Sequence, residues 1–318
     1  MAEQAAILLL AHGTPDSLDE IPEYLSNVTG GRGMPDSVIE EIRHRYSLIG
    51  SSPLTALTLE QGRLLSAELG VPVYVGMRNW KPYIRDVVAR MREDGVTKIV
   101  AICLAPQNSR TSVGLHRRAL DAAIAAGSTP MQVDFTEGWA DHPLLAQAFA
   151  ERLRNVLQPF QSETGKSIPV LFTAHSVPTR TVQPAPTEDG SPQPAPDPYA
   201  DEARRTAALV AERAGLASDQ RHFAFQSQGQ SGGPWIGPTV EDTLTALHQQ
   251  GINKIVVDPI GFLCDHVEIL YDINIAFREF AANLQMELRR PESLNNSPLL
   301  TAALADLARQ GLARLKSA

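Results

Sequence analysis

Cysteine and long apolar runs are both scarce in this chain. It has two cysteines, Cys103 and Cys264, in 318 residues. Both lie in apolar, strand-like runs without a CxxC pair, which predicts buried thiols, a reducing compartment, no zinc knuckle and no iron–sulfur cluster. The first apolar run is far shorter than the roughly 20 residues of a membrane span, and no signal-like segment precedes it. We therefore expect a cytoplasmic protein that is not an integral membrane protein.

Positive charge is also in short supply. The chain has 28 Lys+Arg against 36 Asp+Glu, a formal net charge of -8. Nucleic-acid binding needs a basic face, so this balance argues against DNA or RNA as the main partner. The 43% hydrophobic and 20% charged residues are typical of a globular protein, and the length allows one large or two medium domains.

Short apolar runs alternate with segments of helical periodicity, a pattern typical of an α/β fold with parallel sheets covered on both faces. We predict strands at AAILLLA 5–11, PVYVGM 72–77, KIVAICLA 98–105, MQVDF 131–135, IPVLFTA 168–174, HFAFQS 222–227 and KIVVDPIGF 254–262. Helical spacing or capping residues predict helices at 35–50, 81–95 and 239–251.

The chain repeats its own pattern, which predicts two similar halves. Segments 81–106 and 239–262 both run from a capped helix through glycine to a Lys-Ile-Val strand. The polar stretch 157–167, with its Pro and Gly, predicts a boundary between domains 1–157 and 158–318. A proline-rich loop at 182–198 either borders the site or is a neutral insertion. No sustained heptad is visible, so we expect a monomer.

One histidine follows a predicted strand near the start of each half, His12 in LLLAHGTP and His175 in LFTAHSVP. Open parallel sheets bind ligands at the carboxyl ends of their strands. A single such histidine could be structural, but two in matched contexts favour metal handling or proton transfer.

The stretch GFLCDHVEILYD, 261–272, carries His266, Glu268 and Asp272 where a strand gives way to a helix. Glu268 and Asp272 are four residues apart and so share one helix face. Carboxylates there can hold a divalent ion or accept protons. Taken alone, they are better explained by the preference of a helix N-terminus for negative charge.

These residues, in this order, resemble the ferrochelatase family, enzymes that insert ferrous iron into a porphyrin. The resemblance runs nearly end to end, and its most specific motifs are TAHSVP at 173–178, QS…G…PWIGP at 226–238 and the stretch 261–272. It implies two flavodoxin-like (Rossmann-type) domains with a porphyrin cleft between them.

The resemblance also implies roles for particular residues. His175 and Glu268 match the pair that faces the macrocycle and shares metal binding and removal of the pyrrole protons. His266 and Asp272 match supporting positions. Matched positions near the porphyrin rim are candidates for binding propionates: Arg45, Ser52, Ser109 and Thr111. Trp235 either stacks on the ring or packs.

Two departures from related bacterial enzymes stand out. His12 replaces a tyrosine beside the porphyrin face, and could contact the metal as well as the substrate. Gln107 replaces a histidine, which removes one possible outer metal ligand.

We therefore expect insertion of Fe²⁺, as substrate, into coproporphyrin III or protoporphyrin IX, with no tightly bound cofactor. The resemblance to the soluble bacterial enzymes of the family favours coproporphyrin III. The alternatives are a cobalt or nickel chelatase for another tetrapyrrole, and a non-catalytic heme or tetrapyrrole carrier.

Overall fold

Two four-stranded parallel sheets of the same topology form the framework. The computed structural model describes residues 4–183, 195–229 and 233–317. The first sheet has the order β2-β1-β3-β4 and the second the order β6-β5-β7-β8. Their strands are β1 Gln4–Ala11, β2 Val73–Met77, β3 Val96–Cys103, β4 Gln132–Thr136, β5 Val170–His175, β6 Arg221–Gln226, β7 Lys254–Asp258 and β8 Glu287–Arg289. The predicted α/β class with two similar parallel-sheet halves is confirmed.

Helices cover both faces of each sheet. Within the described residues they are α1 Ile21–Thr29, α2 Asp36–Ile49, α3 Leu54–Leu69, α4 Ile84–Glu93, α5 Val113–Ala125, α6 Pro143–Thr164, α7 Thr179–Val182, α8 Tyr199–Ala214, α9 Val240–Gln249, α10 Val267–Leu270, α11 Arg278–Asn283 and α12 Pro298–Ser317. A π-helical segment, Asp272–Phe277, joins α10 to α11. The predicted cap of α9 is present, because the Thr239 hydroxyl accepts from the Asp242 N–H at 3.1 Å.

The central strands are apolar on both faces, as burial on both sides requires. In β1, Ile7 and Leu9 belong to the large core between the sheets, whereas Leu8 and Leu10 belong to a separate core on the opposite face. All four side chains are fully buried. Ile7 lies opposite Val73 on one side and Val100 on the other, which sets the register of the first sheet.

The last helix of the chain returns to the first sheet. Gly311 of α12 lies so close to β3 that an added Cβ would approach Val100 Cγ1 to 2.5 Å. Arg314 of the same helix pairs with Asp134 of β4 at 2.7 Å. The first half in turn supplies α6, which packs against α8. The two sheets are therefore joined by helices from opposite halves of the chain.

Much of the predicted boundary region 157–167 is helical. The helix α6 continues to Thr164 and ends at Gly165, which has a left-handed φ of 63°. Leu153, Leu157 and Phe160 extend its buried stripe through the polar stretch. The division into domains 1–157 and 158–318 stays a prediction.

Candidate functional site

A cleft of about 380 Å³ opens at the carboxyl edges of the two sheets. Its walls come from both halves of the chain and include His12, Arg78, Ser109, His175 and Glu268. The parallel strands bring these residues together. In a parallel sheet all strands have their carboxyl ends at the same edge, so the residues that come after them lie along that edge.

His175 ends β5 and meets Glu268, from the first turn of α10, at the cleft surface. The His175 Nε2 and Glu268 Oε1 atoms are 3.3 Å apart. The other ring nitrogen, Nδ1, donates to the Ser176 carbonyl, and the Tyr199 hydroxyl donates to the His175 carbonyl at 2.8 Å. The ring is thus oriented so that Nε2 faces Glu268 and the cleft.

A second histidine approaches the same carboxylate. His266 Nε2 lies 3.6 Å from Glu268 Oε2, and its Nδ1 bonds the Cys264 carbonyl at 2.9 Å. Glu268 is therefore flanked by two imidazoles.

The loop that carries this pair is braced by Asp265. One carboxylate oxygen of Asp265 accepts from Arg290 at 3.0 Å and Ser293 at 2.8 Å. The other accepts from Asn295 at 2.9 Å. The Gln226 amide also donates to the Glu268 carbonyl at 2.9 Å, which ties α10 to the end of β6.

His175 and Glu268 are arranged as an ion pair. Burial lowers the pKa of His175, but the Glu268 carboxylate, together with the Ser176 carbonyl and Asp272, outweighs burial and raises that pKa to about 9. Burial opposes ionisation of Glu268 as well, yet the charges of His175 and His266 hold its pKa well below the usual range. Near neutral pH the pair is an imidazolium and a carboxylate.

Asp272 lies one helical turn beyond Glu268, at the start of the π-helical segment. Its side chain is hydrogen-bonded by Ser227, and Arg45 approaches its other oxygen to 3.8 Å. Burial and the nearby Glu268 charge raise the pKa of Asp272 to about 6. Ser227 has a left-handed φ of 61°, a conformation that is uncommon for a residue with a side chain. Asp272 is therefore a carboxyl group that titrates close to neutral pH.

His12 lines the cleft from the first sheet. The turn after it needs Gly13, whose φ is 80° and whose added Cβ would approach Trp80 to 3.0 Å. The His12 Nε2 atom is 3.0 Å from the Tyr24 hydroxyl, and the Asn79 amide nitrogen lies 3.0 Å from Nε2 and 3.2 Å from Nδ1. Burial in the cleft and the charge of Arg78 lower the pKa of His12, so the ring is neutral. Both ring nitrogens have polar neighbours of the protein itself.

The predicted rim residues are divided between the cleft and its surroundings. Ser109 and Thr111 line the cleft and bond each other at 2.9 Å. Arg45 is paired with Glu41 and lies 5.1 Å over the Tyr271 ring, and it is not among the residues of the cleft wall.

Ser52 is also outside the cleft wall. The residue is 5% exposed, and its hydroxyl accepts from the Thr14 hydroxyl at 3.1 Å. It supports the loop that follows His12 and is not positioned to reach a ligand. Trp235 does line the cleft.

Gln107 joins the two halves at the cleft. Its amide donates to the Thr206 hydroxyl at 3.1 Å and to the Ile260 carbonyl at 3.4 Å. At the position where the related enzymes have a histidine, Gln107 therefore makes contacts between the two halves of the chain. Residues 184–194 of the predicted proline-rich loop lie outside the described residues.

Sequence reasoning missed Arg78 and Asn79, which directly follow β2. The signal for them was the same as for His12, a polar residue at a strand end. Among residues 4–183, 195–229 and 233–317, no three His, Cys, Asp or Glu side chains form a group able to hold a metal ion. Over those same ranges no helix combines the length and apolar character needed to span a membrane.

Several known proteins that are similar to this chain are described as ferrochelatases. The sequence profile of the family described as Ferrochelatase matches residues 4–312. A ferrochelatase of Acidobacterium capsulatum is 67% identical over 100% of this chain and 97% of its own length. A ferrochelatase of Deinococcus radiodurans is 38% identical, covering 95% of this chain and 94% of its own. A protein of Geobacillus kaustophilus described as coproporphyrin III ferrochelatase is 33% identical, with the same two coverages.

A solved structure has the same fold at low sequence identity. SirB from Bacillus subtilis with Fe³⁺ matches 99% of this chain and 98% of its own, with a TM-score of 0.62 and 11% identity. At that identity the likeness concerns the fold alone.

Proposed function

The chain belongs to the ferrochelatase family, and on that premise we propose that its cleft binds a porphyrin and inserts Fe²⁺ at the His175–Glu268 pair. The observation that carries the proposal is the 3.3 Å contact between His175 Nε2 and Glu268 Oε1 in the cleft wall. Inserting a divalent metal releases two pyrrole protons, so the reaction needs both a metal ligand and a proton acceptor near the ring centre.

The pair offers both functions once its own proton is lost. His175 is protonated in the unloaded protein, because its pKa is raised to about 9. Only neutral imidazole can bind a metal, so Fe²⁺ must compete with that proton for Nε2. Glu268 is a carboxylate in the unloaded protein, because two histidines flank it. Once Fe²⁺ displaces the proton of His175, that carboxylate can accept a pyrrole proton and pass it on. Its negative charge favours the incoming cation and then the departing protons.

Asp272 is the proposed route by which protons leave. Its pKa of about 6 allows it to accept and release a proton near neutral pH. On one side Asp272 lies one helical turn from Glu268. On the other side it lies next to Arg45, whose side chain is 37% exposed. Ser227 holds one of its oxygens. Asp272 therefore connects the ion pair with solvent.

His12 is proposed to contact the face of the porphyrin opposite His175. It is held neutral, and the Glu268 charge acts on it across the cleft. Because Tyr24 and Asn79 occupy its nitrogens, it can ligate a metal only by giving up one of those contacts. We therefore assign it to substrate positioning first and to metal contact second.

For the substrate we propose coproporphyrin III. The support is the similarity to the Geobacillus kaustophilus protein described as coproporphyrin III ferrochelatase. We also propose that the protein acts as a monomer in the cytoplasm. The cleft is complete within one chain, and both cysteines are free and buried thiols, which suits a reducing compartment.

A panel of substrates tests the proposal. Purified protein is offered Fe²⁺ without oxygen, and separately Co²⁺, Ni²⁺ and Zn²⁺, against coproporphyrin III, protoporphyrin IX and sirohydrochlorin. Metal insertion is followed by the absorption spectrum. The expected result is iron insertion into coproporphyrin III with the highest kcat/KM. Turnover with sirohydrochlorin alone would overturn the substrate class, and tight porphyrin binding without any turnover would favour a carrier.

A further inference from the structure

Arg78 extends from the carboxyl edge of the first sheet into the cleft. β2 ends at Met77, and the next two backbone N–H groups continue its pairing with β1. Arg78 donates to the Ala11 carbonyl and Asn79 to the His12 carbonyl, each at 2.9 Å. The backbone of Arg78 is therefore held beside His12, and its side chain lines the cleft wall.

The Arg78 guanidinium has no anionic partner within residues 4–183, 195–229 and 233–317. Its Nε is shielded from solvent and makes no hydrogen bond, and no ion pair joins the side chain to a residue of those ranges. Two other arginines near the site differ. Arg45 is paired with Glu41 and Asp272, and Arg110 lies 3.5 Å from Asp197.

A partly buried cation without a partner is unfavourable, because enclosure removes hydration that no protein group replaces. Burial is also the largest influence on Arg78, and lowers its pKa. An anionic ligand would relieve this cost. The planar guanidinium matches a carboxylate through two parallel N–H bonds, whereas most of the cleft's exposed wall is apolar and suits a flat macrocycle.

We propose that Arg78 binds a propionate carboxylate of the porphyrin and thereby selects substrates that carry a carboxylate at that corner of the ring. This rests on the proposed function. The proposal assigns the charged contact with a propionate to Arg78 instead of Arg45. Arg45 is already paired with carboxylates of the protein. Coproporphyrin carries a propionate on every pyrrole ring, so one reaches this corner in any orientation of the macrocycle.

Binding without metal tests the proposal separately from catalysis. Porphyrin fluorescence measures the Kd of wild type and Arg78→Gln for coproporphyrin III and for its tetramethyl ester, in the same mild detergent. The matched control is Arg221→Gln, which removes a positive charge from an exposed residue at the start of β6. Loss of a charge-assisted bond is expected to raise the Kd of the acid about 10- to 100-fold in Arg78→Gln. The ester should bind wild type and Arg78→Gln equally, and Arg221→Gln should bind the acid like wild type.

Two results would overturn the assignment. One is an unchanged Kd for the acid in Arg78→Gln. The other is equal weakening of acid and ester together with a lower unfolding midpoint, which indicates a structural role. We expect the midpoint of the unliganded Arg78→Met protein not to fall, because the change removes an unpaired charge. If wild type binds no porphyrin at all, the proposed function fails, and this inference fails with it.

Discussion

The replacement Glu268→Gln tests the ion pair directly, because it removes one charge and leaves the shape of the side chain almost unchanged. The pKa of His175 is about 9 in the presence of the Glu268 carboxylate, against an ordinary value of 6.5. Burial remains in the variant and opposes protonation. The Ser176 carbonyl and Asp272 also remain, so the pKa of His175 should fall toward its ordinary value.

The size of this fall is limited by solvent. The side chains of His175 and Glu268 are 34% and 31% exposed, so water screens part of their attraction. Each pKa unit corresponds to about 1.4 kcal/mol, and we expect a fall of roughly one to three units after allowing for screening. Proton NMR of histidine-labelled protein between pH 5 and 10 measures it.

A control removes a carboxylate that does not face the site. Glu279→Gln changes an exposed residue of α11 and should leave the titration of His175 where it is in wild type. A His175 pKa near 6.5 in wild type, or one that Glu268→Gln leaves unchanged, would refute the reasoning.

The pair of His175 and Glu268 also determines how the free energy of unfolding should change with pH. The raised pKa of His175 means that the pair's contribution is complete below pH 6.5 and is lost as the pH rises through about 9. The lowered pKa of Glu268 means that the contribution is present above its ordinary value of 4.5 and is lost in acid. The stability difference between wild type and Glu268→Gln, about 1 kcal/mol after screening, should be largest near pH 6 and should vanish by pH 10.

Three further replacements test how the site is supported. Gly261→Ala places a Cβ 2.8 Å from Ala174 Cα, so the strand that ends in His175 must shift. We expect a loss of about 1–3 kcal/mol in urea unfolding and a fall in kcat/KM, and wild-type values would contradict the close approach. Ser227→Ala removes the hydrogen bond to ionised Asp272, so the pKa of Asp272 should rise. The acidic limb of the pH–rate profile should then move about 0.5–1 pH unit higher. An unmoved limb would show that protonation of Asp272 does not affect the rate. Gln107→Ala removes the amide that joins the two halves and should lower the free energy of unfolding by about 1–3 kcal/mol, whereas an unchanged urea midpoint would show that the bond adds nothing.

The strands that carry the site could be predicted from sequence because their composition is distinctive. Each predicted apolar run coincides with a strand, and the polar residues after them were expected at one edge. The facing of His175 and Glu268 across one macrocycle was implied by the resemblance to the ferrochelatase family, and the two side chains lie 3.3 Å apart in the wall of one cleft. The strand β8 was missed, because Glu287–Arg289 is three residues long and has only one apolar residue.

The remaining features depend on contacts between distant segments. The polar stretch after Leu157 gave no sign of a continuing helix, but burial of Phe160 in the central core keeps it helical to Thr164. The return of α12 to the first sheet leaves no local signal. The pairing of Arg45 and the lack of a partner for Arg78 depend on which carboxylates lie nearby in three dimensions, and sequence spacing does not report that.

Metal insertion by wild type, His175→Ala and Glu268→Gln, each already loaded with coproporphyrin III, tests the central claim most directly. Fluorescence first establishes that all three bind the porphyrin. Fe²⁺ is then mixed in without oxygen, and the spectrum follows conversion of free-base to metalloporphyrin in a single turnover. The account predicts rapid insertion by wild type and a loss of about 100-fold or more in each variant. Insertion at the wild-type rate by both loaded variants would contradict it.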